Sequence, residues 1–126
     1  MRFQALSLVA PGGTWIREGR KTIEVRSWRP DPLVLTDLLI VQNRRRLDRA
    51  TLSSDPDGEA LALVDVILVR PWLPGDLSAS CSQAWTEGYF AWELANVRPV
   101  HCDRPVTARL GIYPVELAPD ALRQEP

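Results

Sequence analysis

One stretch of the chain carries residue types that can do chemistry, at a spacing that would bring them together. It runs Gly19-Arg20-Lys21-Thr22-Ile23-Glu24-Val25-Arg26-Ser27-Trp28. Successive side chains of a strand point to opposite faces. A strand over residues 22–28 therefore sets Thr22, Glu24, Arg26 and Trp28 on one face, with Lys21 at its mouth, and turns Ile23 and Val25 towards a core. A carboxylate can accept from the amino group of a base, and a guanidinium beside it can hold a phosphate or a carbonyl. The bland alternative is a surface ion pair between Glu24 and Arg26, worth about 0–1 kcal/mol. In an enzyme, Glu24 would be the general acid or base, and Lys21 the charge stabiliser or the amine that activates a nucleophile.

Composition singles out the same place. Of fifteen basic residues fourteen are arginine, and the one lysine is Lys21. Unlike arginine, lysine can lose its proton when desolvated and act as a base or nucleophile. Trp28 and Trp92 could stack on a base, a contact worth about 1–3 kcal/mol in single-strand binders, or fill the core. Trp15, Trp72 and Trp85 read as core. Asn43 ends an apolar run where it could read a base edge. Arg44, Arg45, Arg46 and Arg49 form the densest basic cluster, either a phosphate-contacting edge or a solvated face. His101 reads as an ordinary surface histidine.

The elements that must position these residues are short strands separated by turn signals. Strands are expected over residues 3–9, 22–28, 37–43, 60–72 and 89–94, with a last strand or hairpin over 105–117. Leu38-Leu39-Ile40-Val41 is apolar on both faces, as in a strand buried on two sides. Thr14 can cap a helical turn over residues 15–18, which Gly19 stops. A loop with a short helix around Trp85 is expected in 75–88. The pattern is mainly β with short helices, an α+β chain forming a small β-barrel. Residues 1–117 read as a single domain and residues 118–126 as a frayed tail.

Whole-chain quantities exclude several classes. At 126 residues, 45% hydrophobic and 25% charged, the chain is that of one ordinary globular domain. No segment approaches the roughly 20 apolar residues that cross a bilayer, so no membrane partner is expected. The N-terminus lacks the sections of a signal peptide, which predicts a cytoplasmic protein with Cys81 and Cys102 reduced. One histidine and no CxxC or HxxxH spacing argue against a transition-metal site, and no cofactor is implied. The net charge of −1 hides ten Arg/Lys against five Asp/Glu in residues 1–54, and five against eleven in residues 55–126. The basic half could serve phosphate backbones, or the halves could attract each other within one fold.

Several motifs together resemble the ASCH domain, a PUA-like family. They are Ala5-Leu6-Ser7-Leu8 and Pro11, then Gly19-x-Lys21-x-x-Glu24-x-Arg26, then Leu38-Leu39-Ile40-Val41, and finally Tyr89-Phe90-Ala91-Trp92-Glu93-Leu94-Ala95-Asn96-Val97-Arg98-Pro99-Val100. The resemblance implies a PUA-like small β-barrel that binds RNA or a modified nucleoside in a cleft centred on Lys21, Glu24 and Arg26. It also implies hydrolase alternatives in the same cleft: a ribonuclease, or an amidohydrolase acting on an acylated cytidine. In that last branch Lys21 matches the working lysine, while Glu24 stands where the working threonine would be. A protein-interaction module needs only the fold.

Overall fold

The computed structural model describes residues 1–125. In chain order they form β1 (Arg2–Val9), α1 (Gly12–Arg17), β2 (Ile23–Arg26), β3 (Leu35–Asn43), β4 (Ser54–Asp55) and β5 (Glu59–Pro71). A 3-10 turn (Pro74–Asp76) runs into α2 (Leu77–Ser80), followed by β6 (Phe90–Cys102), β7 (Ala108–Arg109), β8 (Ile112–Glu116) and β9 (Leu122–Gln124). The main sheet runs β2-β6-β5-β3-β1-β8, with β9 added to β6, and β4 pairs with β7 in a small ribbon. Only β1 and β3 pair in parallel; the other pairs are antiparallel. The sheet curls into the half-barrel of a small, mainly β, α+β fold.

The double-sided apolar pattern of β3 is used on both faces. Leu38 and Ile40 join Leu6, Val64, Trp92 and Ile16 of α1 in one core. Leu39 and Val41 join Ala5, Leu63, Val100 and Tyr113 in a second core across the sheet. A strand covered on both sides cannot alternate polar with apolar residues. That explains why β3 and β5 are the most continuously apolar runs in the chain.

Several elements differ from expectation, each for a visible reason. The helix begins at Gly12, after Pro11, and Thr14 lies inside its first turn. There the Thr14 N–H and hydroxyl both donate to Gln42 Oε1, at 2.9 and 3.3 Å, which pins α1 to β3. The central strand is four residues long instead of seven, losing Thr22 at its start and Ser27 and Trp28 at its end. Lys21 N–H donates to the Trp15 carbonyl at the end of α1, and Thr22 N–H to the Ala79 carbonyl of α2. Trp85 lies outside any helix, and its indole N–H donates to the Trp72 carbonyl.

The strand expected to stop at residue 94 continues to Cys102, with His101 exposed on it. Asn96, at φ 54°, takes up the irregularity between the Ala95 and Arg98 pairings with β5. Asn is among the few residues that tolerate this region. The expected frayed tail is instead tied down through Gln124, where Leu122–Gln124 pairs with Val100–Cys102. Arg17 of α1 also holds Glu125 in an ion pair. Pro126 lies outside the described residues.

Candidate functional site

The sheet curls without closing, and its seam lies where β2 passes β1. β8 pairs with β1 only over residues 2–6, then diverges towards Arg109, whose N–H donates to Ser7 Oγ at 3.2 Å. Ser7–Val9 therefore have β3 on one edge and no strand on the other. At the Val9–Asn43 pairing, Ala10 N–H donates to the Asn43 carbonyl. In a parallel ladder this turns the N–H and C=O of Val9 itself to the opposite edge, towards the seam. A cavity of about 460 Å³ fills the gap. That volume lies within the range of small-molecule sites.

At its centre is a charge cluster built on the end of α1 and on β2. Gly19, at φ 79°, ends the helix in a conformation that costs glycine little. Lys21 is then fixed through its backbone bond to Trp15. Its ammonium lies 3.2 Å from Glu24 Oε1 and donates to the Ser80 carbonyl at 2.7 Å. Arg26 approaches Glu24 Oε2 with Nε at 2.9 Å and Nη2 at 2.8 Å, and Nη2 reaches across the seam to the Ser7 carbonyl at 2.9 Å. Lys21 and Glu24 are 8% and 5% exposed. Both carboxylate oxygens of Glu24 are thus held by cations, in surroundings dry enough for the pairing to matter. One N–H of Lys21 and Nη1 of Arg26 have no partner among the described residues.

Five expected site residues line the cavity: Lys21, Glu24, Arg26, Asn43 and Arg46. Asn43 is 2% exposed, and its amide also donates to the Arg45 carbonyl, so it shapes the loop as well as the wall. The others lie elsewhere. Thr22 is exposed outside the cavity, because the regular alternation starts only at Ile23. Trp92 is fully buried, and Trp28 meets it edge-on at 5.0 Å between ring centroids. Neither indole lines the cavity; Trp28 borders a separate hollow with Pro30 and Ile112. Arg44, Arg45 and Arg49 are exposed but do not line it.

Four contributors escaped the sequence reading. Trp15, taken there as core, is a half-buried wall of the cavity, with the Arg20 guanidinium 5.1 Å from its ring. Trp85, also taken as core, is 36% exposed, whereas Trp72 is buried as expected. Arg109 enters the cavity rim from the two-residue β7, which has no pattern of its own to betray it. The unpaired edge of Val9 depends on where β8 stops, a tertiary matter. The Ser80 carbonyl is delivered by α2, and that segment is anchored by Arg70, which bonds Asp76 and Glu93 at once. The Arg70 guanidinium and the Leu73 N–H hold the Asp76 carboxyl below its ordinary range.

The family model of the ASCH domain matches residues 6–102. The chain belongs to the ASCH domain family. ASCH domains are generally thought to bind RNA. The matched span includes Lys21, Glu24, Arg26, Asn43 and Arg46, while Arg109 lies beyond it. Among curated proteins none matches this ASCH chain. Among its described residues, no three His, Cys, Asp or Glu side chains are grouped to hold a metal ion, and no helix is long and apolar enough to cross a membrane.

Proposed function

We propose that this ASCH domain binds RNA or a modified nucleoside in the seam cavity. Lys21 and Arg26 supply donors to a base carbonyl or ring nitrogen, Trp15 an apolar wall, and the Val9 peptide edge a donor–acceptor pair. The observation that carries the reading is the charge balance of the lining, which holds Lys21, Arg26, Arg46 and Arg109 against the single carboxylate of Glu24. Such a site favours an electron-rich ligand with several acceptors. Glu24 serves here chiefly to hold its two cations in place. A hydrolase in the same cavity would need Glu24 to give up one of those bonds before it could take a proton from a ligand.

The test is a panel of ribonucleosides, including acylated cytidines, and short single-stranded RNAs, scored for saturable binding and for product. Binding by at least one member, lost in Glu24→Gln, is the expected result. No binding by any member would end the proposal. Product formation would bring in the hydrolase alternative, and Lys21→Arg then decides the role of the amine. Turnover that collapses while binding survives makes Lys21 chemically active; unchanged turnover leaves it a binding group.

A further inference from the structure

We infer that Arg46 and Arg109 form a phosphate subsite at the mouth of the cavity, so that its ligand is a phosphorylated nucleotide, free or within an RNA strand, rather than a bare nucleoside. The inference rests on the nucleoside reading of the deeper cavity and adds the chemical class of what that cavity takes. The lining is graded by depth. Lys21 and Glu24 are buried, whereas Arg46 and Arg109 are exposed on the same cavity. The only carboxylate of the lining, Glu24, is already bonded on both oxygens by Lys21 and Arg26. Among the described residues, neither Arg46 nor Arg109 makes an ion pair with an acidic side chain. Two guanidinium groups thus remain uncompensated beside one opening, which is the arrangement that suits a dianion.

The backbone that carries each of them is tied into the fold. Arg46 follows the Asn43 turn, where the Asn43 amide holds the Arg45 carbonyl. Arg109 sits in β7, fixed through its own N–H to Ser7 Oγ, which in turn is 2.6 Å from the Tyr113 hydroxyl in a buried pair. Both arginines thus come from segments that meet beside the end of β1 and line the same cavity. The neighbouring Arg44, Arg45 and Arg49 do not line the cavity, which sets Arg46 and Arg109 apart from the general basic surface.

The experiment compares the four ribonucleosides with their 5′- and 3′-monophosphates, short oligoribonucleotides and inorganic phosphate, by equilibrium binding to the full chain. Monophosphates or oligonucleotides should bind roughly ten-fold or more tightly than the matching nucleosides. Arg46→Ala and Arg109→Ala should each erase most of that gain, read as a fall in the ratio of nucleotide to nucleoside affinity. Arg49→Ala and Arg123→Ala should leave it intact. A preference for monophosphates over oligonucleotides would assign the subsite to free nucleotides, and the reverse to RNA. Equal binding of nucleosides and nucleotides would overturn the subsite while leaving the base cavity standing. Losses in Arg49→Ala as large as those in Arg46→Ala would also overturn it, reducing the effect to net charge. If no nucleoside, nucleotide or oligonucleotide binds, the subsite falls together with the reading beneath it.

Discussion

Removing one member of a buried ion pair leaves the other charge without compensation, at a cost of about 3–5 kcal/mol. Glu24→Gln places a neutral amide between the Lys21 ammonium and the Arg26 guanidinium, both of which now touch its carboxylate. The expected stability loss is on the order of 3 kcal/mol, read as a lower urea midpoint at unchanged slope. A loss below about 1 kcal/mol would mean that the cluster is wet and behaves as a surface pair. Single residues also explain where the sequence was readable. Gly19, Lys21, Glu24 and Arg26 announce themselves because each needs a side chain, or the lack of one, at a fixed offset. Trp15 does not, since an indole in a cavity wall and an indole in a core look alike in one dimension.

At the scale of elements, β1 does two jobs along its length. Residues 2–6 are an interior strand and residues 7–9 an edge. Proline is tolerated where the strand's N–H faces away from the ladder, so Val9→Pro should leave stability nearly unchanged while weakening ligand binding. A large drop in melting temperature would show that this N–H is bonded within the fold. The 3-10 turn and α2 are held differently, through Arg70 and Asp76. Because the folded Asp76 carboxyl stays ionised to lower pH than in the unfolded chain, the unfolded state takes up its proton first on acidification. The stabilisation is complete above the ordinary carboxylate range near pH 4 and fades as pH falls through the lowered folded value. Asp76→Asn should therefore be less stable at neutral pH and show a shallower acid limb; identical pH profiles would remove the pair from the account. These elements also mark the limit of what the sequence discloses. The strands with strong alternation or continuous apolar runs were legible to within a few residues. The end of β2, the irregularity at Asn96 and the pairing of β9 are set by partners distant in sequence.

For the molecule as a whole, the C-terminal segment closes the assembly by pairing β9 with β6 and linking Glu125 to Arg17 on the helix that walls the cavity. Ending the chain after Leu117 should lower thermal stability and loosen α1, and hydrogen exchange at Trp15–Arg17 would report it. Unchanged protection there would confine the tail's effect to β6. A last consequence follows from Lys21 being the only lysine, held 8% exposed inside the cavity. Apart from the amino group of Met1, these 126 residues offer a single primary amine to acylating reagents, and that amine lines the cavity. Acylation there has to wait for the ammonium to leave Glu24 and the Ser80 carbonyl, so a ligand that braces the cluster should slow the mass gained at Lys21, with every arginine silent.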